Sequence, residues 1–577
     1  EQNHVDVLIC GAGPVGLFLS NELAAFKINF RIIEKLNKHP NFSKAIYVSP
    51  RTLEIFDNRG LIDPFLENGV KVKQFTTYQS TQELFKIDLS SMNSLFPFAL
   101  MTRQNKTQDY LFDALHRKKS MGIENVPNVE FSMELIKYEE KDDHIIAIVK
   151  NINSGKEEEI ICRYLIGCDG VHSSVRKGRN DWIFEGQTLN ASWAVADVSI
   201  DHELVKDYQV TLFAAPGGHI AILPLDSRKK TFRIIGRVPE ENITLDKLQK
   251  MIDKKTAPIK LEIKDPVWLA NFKVSEKVAN RYRTGRVFLA GDAAHCHSPV
   301  GGQGMNLGIQ DAHNLAFKLA LVIKNQAINP DKILNSYEQE RRPVGKNVVS
   351  GTSFATKMLS GNDFISNLLR SSVAPFMFQF FPQLAFNFQT NLFQTDLKYF
   401  PETSEILHKY NPLSHSKNKL IKAGHYAIDG PLKKVIPKKS HDRITLFDVF
   451  CSTALKHTLI LFTLTKGVTA DRNPLINTLL EIYSGYKNAI TPVIVSYQGA
   501  VQTADIPFMS FLEEGREQHI FMESQFELHE KYGITKEIGQ QAFILVRPDL
   551  YIASAVFEND VDKLRAFLEG YFVKLVR

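Results

Sequence analysis

Residues 286–320 read RVFLAGDAAHCHSPVGGQGMNLGIQDAHNLAFKLA and join a short apolar segment, an acidic turn, a glycine-rich turn and a helix candidate. Residues 287–290 predict a buried strand, and Gly291-Asp292 ends it with a carboxylate that can accept hydrogen bonds from sugar hydroxyls. The following glycines let backbone amides approach a ligand closely. Residues 306–320 have apolar side chains at helical spacing, so the amino end of this helix directs a positive partial charge toward the glycine turn. The stretch predicts a site for a charged cofactor with a ribityl chain.

A glycine fingerprint, GAGPVG, stands at residues 11–16. A strand candidate at 5–9 precedes it, a helix candidate at 17–24 follows it, and a second strand candidate at 30–33 ends at Glu34. This order matches a dinucleotide-binding unit, in which the glycines allow a tight turn and contact with the pyrophosphate at a helix amino terminus. An acid at position 34 favours an unphosphorylated ribose, as in FAD or NAD.

A third motif, YLIGCDGVHSSVR at residues 164–176, runs from an apolar strand candidate into an acid-glycine turn. Together the three motifs resemble the signature of the class A, single-component FAD-dependent aromatic hydroxylases, the para-hydroxybenzoate and phenol hydroxylase group. The resemblance covers about the first 345 residues. LVRPD at 545–549 resembles the signature of the thioredoxin-like carboxy-terminal domain carried by the phenol hydroxylase branch and by polyketide and rifampicin hydroxylases. Further matching pieces are Lys44-Ala45, Arg51 to Glu54, Gln104 with Thr107 and Leu111, and YEQERRP at 337–343.

The resemblance implies an α/β fold with a Rossmann-like FAD-binding domain of the para-hydroxybenzoate hydroxylase type. We expect this domain at residues 1–73, 102–180 and 285–345, and an antiparallel-sheet substrate domain at 74–101 and 181–284. A helical, Phe-rich segment is expected at 346–410, and a thioredoxin-like domain without a CxxC pair at 411–577. The alternation of apolar and polar residues predicts sheet strands at 191–200, 208–213, 219–225 and 231–238, with 74–101 in the same layer, and further strands at 443–449, 458–462, 490–495 and 543–546 before a helix at 561–572.

The chain has 577 residues, 44% of them apolar, which is enough for a large core and about three or four domains. A net charge of +6 gives no indication of a nucleic-acid partner. Five cysteines without CxxC spacing are typical of free thiols in a reducing compartment, so we expect a cytoplasmic protein. We expect no signal peptide, no membrane span and no metal site.

Carried over residue by residue, the resemblance implies that the glycine fingerprint meets the FAD pyrophosphate and that Glu34 meets the adenosine ribose. Gln104 and Asp292 are expected at the central part of the cofactor, and 304–306 at the isoalloxazine edge. Asp169 is expected near both FAD and the nicotinamide nucleotide. The complete expected cofactor set is Gly11, Gly13, Pro14, Val15, Gly16, Glu34, Lys35, Lys44, Gln104, Asp169, Gly291, Asp292, Pro299, Gly302, Gly304, Met305 and Asn306.

The implied mechanism uses NAD(P)H to reduce FAD, followed by oxygen addition at flavin carbon 4a and attack of the resulting hydroperoxide on an aromatic ring. Pro299 and Gly302 are expected in the pocket wall. Tyr47 stands where the family has glycine, so it is a candidate for cavity contact. His219 is the fourth catalytic candidate, because a two-residue period places it on one strand face with 221 and 223. Two further departures from the family pattern are Lys44 for arginine and Gln108 for an acid.

The activity implied is hydroxylation of a phenolic or polycyclic aromatic compound. Three alternatives stay open: a monooxygenase that inactivates an antibiotic of the rifamycin or tetracycline type, a flavin-binding protein without turnover, and a reductase on the same fold. The aromatic substrate and the choice between NADH and NADPH are also open. For the Phe-rich residues 354–400, core packing, a homodimer contact and a ligand contact are the three hypotheses.

Overall fold

The structure is a computed structural model. It describes residues 4–39, 45–92, 94–123, 126–215, 218–238, 243–298, 302–360, 393–410, 420–434, 444–453, 455–464, 474–497, 520–523, 525–534 and 541–575, without the side chains of 189–191, 354–360 and 434. The chain divides into two compact units. The first consists of residues 1–57, 61–313 and 341–396, and the second of residues 58–60, 314–340 and 397–577.

Secondary structure alternates between strands and helices through most of the described chain. The elements up to residue 256 are β1 (His4–Cys10), α1 (Pro14–Ala25), β2 (Phe30–Glu34), β3 (Tyr47–Val48), α2 (Pro50–Asn58), α3 (Asp63–Asn68), β4 (Val70–Val72), β5 (Gln74–Gln79), β6 (Gln82–Asp88), β7 (Ala99–Met101), α4 (Gln104–Ser120), β8 (Val129–Phe131), β9 (Met133–Glu140), β10 (Ile145–Asn151), β11 (Glu157–Gly167), α5 (Ser174–Lys177), β12 (Phe184–Ile200), β13 (Gln209–Phe213), β14 (Ile220–Asp226), β15 (Thr231–Val238) and α6 (Leu245–Thr256).

The elements that the structure describes after residue 256 follow. They are β16 (Ile263–Ala279), β17 (Arg283–Thr284), β18 (Val287–Leu289), β19 (His295–Cys296), α7 (Gly304–Ile323), α8 (Pro330–Ser360), β20 (Pro431–Lys434), β21 (Ile444–Thr445), α9 (Leu446–Thr453), β22 (His457–Thr463), α10 (Pro474–Tyr486), β23 (Ile490–Tyr497), β24 (Ile520–Glu523), α11 (Glu527–Lys531), β25 (Ala542–Val546), β26 (Ile552–Phe557) and α12 (Val561–Glu569).

In the first unit, one sheet has the described strand order β17-β18-β11-β1-β2-β8, with β10 and β9 continuing from β11. Its central strands run parallel, with Cys10 opposite Gly167 and Gly167 opposite Leu289. The ends of β1, β11 and β18 are therefore level. Apolar residues fill these strands because a parallel sheet is covered on both faces, and Val7, Leu8 and Ile9 are fully buried. The predicted α/β class is confirmed.

A second sheet of the first unit has the order β19-β16-β12-β15-β14-β13-β5-β6. Its pairs are antiparallel except for β13 with β5, which are parallel. One face packs on α6, where Leu248 and Ile252 join Ile222 and Ile234 of the sheet in a buried cluster. Thr244 caps the amino end of helix α6, since its side chain accepts a hydrogen bond from the Lys247 amide.

The prediction that 74–101 forms strands of this layer is correct for β5 and β6 but wrong for β7. Strand β7 pairs with β3 and β4 in a separate three-stranded sheet, with Met101 opposite both Tyr47 and Val70. Three buried residues, Ala99, Leu100 and Met101, give no alternation that would assign the strand to one sheet face.

In the second unit, the described strands form a sheet of order β21-β20-β24-β23-β22-β25-β26. Strands β22, β23 and β24 are mutually parallel. Antiparallel strands flank them, β25 and β26 on one side and β20 and β21 on the other. The predicted strands at 458–462, 490–495 and 543–546 and the helix from Val561 are confirmed. The four-part division by residue number stays a prediction.

The predicted strand at 443–449 is wrong beyond Thr445, because a helix begins there. The Thr445 amide donates to Asp448 Oδ2 at 2.6 Å, and the Asp448 amide donates to Thr445 Oγ1 at 3.4 Å. This reciprocal cap satisfies two amides at the amino end of α9 and favours helix over strand. Before these elements, Pro431–Lys434 form β20, which pairs with β21 and β24 in the same sheet.

A buried charge network lies within the second unit. Arg547 donates to both Glu340 oxygens, at 2.6 and 2.9 Å, and to Asp549 Oδ1 at 2.8 Å. Lys318 donates to Glu340 Oε2 at 2.8 Å, and the side chains of Lys318, Glu340 and Arg547 are fully buried. The LVRPD signature is thus explained physically, since its arginine and aspartate each have an opposite charge inside the core.

Candidate cofactor and substrate site

The three sequence motifs meet at one edge of the parallel sheet. The glycine fingerprint follows β1, the Asp169-Gly170 turn follows β11, and the Gly291-Asp292 turn follows β18. These are neighbouring strands whose carboxyl ends are level, so the turns lie side by side. The crevice outside the carboxyl ends of parallel strands is where open α/β sheets bind ligands.

The first turn of the fingerprint requires glycine at position 11. Gly11 has φ of +101°, and a Cβ there would lie 2.5 Å from the Cys168 carbonyl oxygen. At Gly13, by contrast, a Cβ would meet nothing within 4 Å. Helix α1 then begins with Pro14 at its first position, followed by half-buried Val15 and buried Gly16. Gly13 therefore faces open space at a helix amino terminus.

The Glu34 carboxylate lies against the fingerprint turn. Its Oε2 accepts from the Ala12 amide at 2.8 Å and its Oε1 accepts from the Leu36 amide at 3.0 Å. These bonds fix the carboxylate at the end of β2, beside Gly13, where a ribose hydroxyl could donate to its remaining lone pairs. Lys35 is exposed, and Lys44 lies outside the described residues.

Gln104 fixes the loop that precedes β3. Its Oε1 accepts from the Ala45 amide at 3.0 Å, and its own amide donates to the Ala45 carbonyl at 3.0 Å. Gln108, one turn later on α4, donates to His39 Nδ1 at 3.2 Å and is buried. An uncharged amide at 108 therefore serves a local contact within the described residues.

The two carboxylate oxygens of Asp169 differ in their hydrogen bonding. Its Oδ2 accepts from the Ser174 and Val175 amides at 2.7 and 3.3 Å. Its Oδ1 is buried and has no hydrogen-bond partner among the described residues. Burial raises the pKa of this carboxyl, against the lowering effect of its hydrogen bonds to Ser173, Val175 and Ser174. A ligand hydroxyl that donates to Oδ1 would complete the site.

The Gly291-Asp292 turn is braced by the buried carboxylate of Asp311. Asp311 accepts from the Gly291 amide at 3.1 Å, from His295 Nε2 at 2.7 Å and from Arg341 Nε at 2.8 Å. Burial alone would raise the pKa of Asp311, but His295 and Arg341 outweigh burial and lower it. Asp292 itself is exposed at the crevice.

The amino end of α7 meets the loop that contains Tyr47. Asn306, fully buried, accepts from the Ser49 amide at 2.9 Å and donates to the Tyr47 and Gly302 carbonyls, each at 3.0 Å. Gly302 has φ of +63°, and a Cβ there would lie 2.8 Å from Tyr47 Cδ1. Glycine is therefore required at 302 both by conformation and by space.

Three other expected residues lie around this helix start. Met305 is buried and Gly304 is half-buried. A Cβ on Gly304 would lie 3.7 Å from His297 Nε2 and 4.0 Å from Asp292 Oδ1, so those polar atoms converge on the first residue of α7. Pro299 lies outside the described residues.

Tyr47 has a buried hydroxyl without a hydrogen-bond partner among the described residues. Burial raises the pKa of this phenol well above its ordinary value. Its ring packs in a cluster with Phe393, at 6.4 Å between ring centroids, and with Leu223 of β14. Within the Phe-rich residues 354–400, positions 361–392 lie outside the described residues, so the three hypotheses for this segment stay predictions.

His219 lies one residue before β14 and is half-buried. By alternation it shares a face with Leu223, which packs in the Tyr47 cluster. The structure thus brings Tyr47 and Gly302 into contact and puts His219 on the neighbouring sheet face. The assignment of these side chains and of the cofactor set to a site stays a prediction.

Two groups of residues were missed by the sequence reasoning. Asp197 and Arg233 form a buried ion pair on the second sheet, 2.7 Å between Oδ1 and Nε. A cavity of about 410 Å³ lies beside the Asp169-Gly170 turn, and its lining contains basic and aromatic side chains but no acidic one. The lining residues are Val171, His172, Arg176, Lys177, Trp182, Phe184, Thr188, Ser275 and Lys277.

Among the described helices, none combines the length and the apolar composition needed to cross a membrane. The described residues contain no group of three or more His, Cys, Asp or Glu side chains that could hold a metal ion.

Two protein families match the chain. Residues 4–352 match the family described as FAD binding domain, and residues 490–575 match the family described as phenol hydroxylase, C-terminal dimerisation domain. The first match covers more than half of the chain and includes all three turns.

Curated relatives and solved structures agree with these matches. The 6-methylpretetramide 4-monooxygenase of Streptomyces rimosus is 31% identical over 382 residues, which are 65% of this chain and 64% of that enzyme. An uncharacterized aromatic compound monooxygenase of Bacillus subtilis, YhjG, is 32% identical over 61% of this chain and 68% of its own length. The chain thus spans slightly less than two thirds of the Streptomyces relative. The solved anhydrotetracycline hydroxylase OxyS of Streptomyces rimosus has a TM-score of 0.71 and 26% identity over 99% of both chains.

Proposed function

Because the chain belongs to the FAD binding domain family of flavoproteins, we propose that it is an FAD-dependent monooxygenase that hydroxylates a phenolic or polycyclic aromatic compound. NAD(P)H is the proposed reductant and O₂ the proposed oxidant. The proposal depends mainly on one observation: the turns after β1, β11 and β18 lie together at one edge of the parallel sheet. A second sheet with a half-buried apolar face lies next to them.

The side chains present fit FAD. Open space at Gly13, at the amino end of α1, suits a pyrophosphate, since backbone amides and the helix dipole favour an anion there. Glu34 suits the adenosine ribose. The unpartnered Oδ1 of Asp169 and the exposed carboxylate of Asp292 suit donors on a ribityl chain. The start of α7, from Gly304 to Asn306, suits an electron-rich ring edge.

The chemistry that FAD supplies when bound is acceptance of a hydride from NAD(P)H and activation of O₂. The chain must position the aromatic ring and exclude water. Tyr47 and Phe393 provide a buried apolar wall, and Asn306 holds the Tyr47 loop against Gly302 through two carbonyl hydrogen bonds. Tyr47 is proposed to direct its free hydroxyl toward the bound aromatic or the flavin.

The basic cavity beside Asp169 is the proposed groove for NAD(P)H. Lys177 and Lys277 can neutralise nucleotide phosphates, and Trp182 and Phe184 offer aromatic faces for a base. Arg176 is held in place by donation to the Ala293 carbonyl at 2.7 Å, and its guanidinium lies 3.9 Å from the Phe184 ring centre. A nucleotide bound here would reach the crevice beside the Gly291-Asp292 turn.

We also propose a homodimer and a cytoplasmic location. The dimer is supported by the match of residues 490–575 to a dimerisation domain. A reducing compartment is supported by the five cysteines, none of which forms a disulfide bond in the described residues and of which Cys10, Cys162 and Cys296 are buried.

The direct test is stopped-flow reduction of the bound flavin by NADPH and by NADH, with and without phenols, anthraquinones, tetracyclines and rifamycins. The proposal predicts that one compound accelerates reduction and, after mixing with O₂, gains one oxygen atom by mass. Turnover that continues without O₂ would instead indicate a reductase, and bound flavin that neither nucleotide reduces would indicate a protein without turnover.

A further inference from the structure

The second sheet presents one face that its own core does not use. Ala196, Val198 and Ile200 of β12 point into the cluster with α6. Trp193, Val195 and Asp197 alternate onto the opposite face. The cross-strand register extends that face in a row, because Ala221 lies opposite Ile235, Ile235 opposite Val195, and Val195 opposite Ala270.

This row is apolar and incompletely covered. Ala221, Ile235 and Ala270 are each half-buried, although they occupy the middle of an eight-stranded sheet. Apolar side chains in such a position gain free energy when a flat apolar ligand removes the remaining water. The row can therefore serve as the floor under a ring system.

Next to this floor, one carboxylate lies within ion-pair distance of two arginines. Asp197 pairs with Arg233 through Oδ1 to Nε at 2.7 Å and Oδ2 to Nη2 at 3.0 Å, and both side chains are buried. The Nε of Arg103 lies 3.5 Å from Asp197 Oδ2. Because Asp197 already forms a bidentate ion pair with Arg233, the Asp197 carboxylate compensates the charge of Arg103 only in part.

Arg103 is placed to hold a ligand. The 3.5 Å distance lies at the outer limit for a hydrogen bond, and the structure records the contact as an ion pair and gives the Arg103 side chain no hydrogen bond to a described residue. Its side chain is 30% exposed. It directly precedes Gln104, whose bonds to Ala45 fix the loop at the proposed flavin site. An anionic group on Arg103 would lie between the flavin side and the sheet.

A second donor marks the other end of the same face. Trp193 is 7% exposed, and its Nε1 has no hydrogen-bond partner among the described residues. A buried donor without an acceptor costs free energy, which a ligand oxygen would recover. Trp193 and Asp197 are four residues apart on an extended strand, or about 13 Å along it.

We propose that this face binds a polycyclic aromatic compound with an anionic oxygen group at one end and an acceptor oxygen at the other. The anionic group lies on Arg103, the rings lie on the row of Ala221, Ile235 and Ala270, and the acceptor oxygen takes the hydrogen bond of Trp193. Asp197, beside which Arg103 lies, and Trp193 are separated by about 13 Å of strand, a length that a single phenol ring does not cover. The inference rests on the proposed function, since it names the class of aromatic that the monooxygenase accepts.

The test uses equilibrium binding to the flavin-loaded protein without NAD(P)H, followed by the visible spectrum of the flavin and by calorimetry. The probes are 6-hydroxyanthraquinone-2-carboxylate, whose hydroxyl oxygen lies at the ring end opposite the carboxylate, its neutral amide 6-hydroxyanthraquinone-2-carboxamide, and the single-ring acid 3-hydroxybenzoate. Arg103→Gln and Trp193→Phe are the test variants, and Arg228→Gln, which changes an exposed arginine in the turn after β14, is the matched control.

We expect the native protein to bind the polycyclic acid about 10- to 100-fold more tightly than its amide, the difference of one hydrogen bond to a charged group. Arg103→Gln should abolish that preference. Trp193→Phe should weaken the binding of both anthraquinones by a similar factor, so the preference for the acid over the amide should remain. The Arg228→Gln control should change neither the affinities nor the preference. The single-ring acid should bind more weakly than the polycyclic one.

Equal affinity for acid and amide, retention of the preference in Arg103→Gln, or no binding of the polycyclic acid would each overturn the inference. These outcomes are distinct from failure of the proposed function. If the protein oxygenates a neutral phenol but binds the polycyclic acid no more tightly than its amide, the proposed function stands and only this substrate class is wrong. A protein that binds no FAD and oxygenates nothing loses the function.

Discussion

Replacing Gly13 by alanine should weaken FAD binding while leaving the folded protein nearly as stable as before. The added methyl group meets no protein atom within 4 Å, and the backbone at Gly13 has φ of −69° and ψ of −179°, which alanine can adopt. Gly13 is the residue before α1, a position where alanine is less favourable than glycine, so we expect a cost in stability below about 1 kcal/mol.

The effect on FAD follows from the same open space. If the pyrophosphate occupies it, the methyl group displaces the phosphate from the amides at the start of α1. Loss of one hydrogen bond to a charged group is worth about 1.5–3 kcal/mol, so the Kd for FAD should rise about 10- to 100-fold. Titration of the apoprotein with FAD, read by quenching of flavin fluorescence, measures this Kd.

Gly351→Ala is the matched control, because a Cβ at Gly351 also meets nothing within 4 Å but the residue lies in α8. It should leave the Kd for FAD unchanged, and thermal melts of both apoproteins should be close to that of the unmodified chain. An unchanged Kd in Gly13→Ala would refute the placement of the pyrophosphate. A large loss of thermal stability in Gly13→Ala would show that the added methyl group does not fit into open space at Gly13.

Three other predictions concern single side chains. Asp292→Ala should yield protein depleted of FAD, since its carboxylate is proposed to hold the ribityl chain; a full flavin-to-protein ratio after purification would contradict this. Tyr47→Phe should keep or slightly raise the melting temperature, because it removes a buried hydroxyl that has no hydrogen-bond partner among the described residues. It should also change the affinity for the aromatic substrate. If the variant and the unmodified protein bind every tested aromatic equally well, Tyr47 does not contact the cavity. The pKa of Asp311 is lowered in the folded protein because His295 and Arg341 outweigh its burial. The ionised carboxylate therefore stabilises the fold above the unfolded pKa of about 3.9, and this stabilisation is lost as the pH falls below that value. In Asp311→Asn, the free energy of unfolding measured with urea should fall less steeply at acid pH than in the unmodified protein, and an identical acid dependence would contradict this.

The sequence was sufficient to predict the edge of the parallel sheet because each motif there is local. A strand, its turn and the next helix lie within a few residues of one another, and short apolar runs before Gly11, Asp169 and Gly291 leave little choice of element. Parallel neighbours then bring the turns together, which explains why three separated motifs form one crevice.

Long-range contacts could not be predicted in the same way. Asp197 and Arg233 are 36 residues apart, and their pairing depends on the register of β12 with β15, which no local pattern specifies. Tyr47 and Gly302 were both singled out, but the contact between them across 255 residues follows only from the fold. At Thr445, a cap overrode a strand-like alternation, a choice decided by two hydrogen bonds.

The measurement that tests the central claim most directly is incorporation of isotopically labelled O₂ into an aromatic product during turnover with NADPH or NADH. We predict one labelled oxygen atom on the ring, and no product when either the reductant or O₂ is withheld. Product that forms without O₂, or whose new oxygen comes from water, would contradict it.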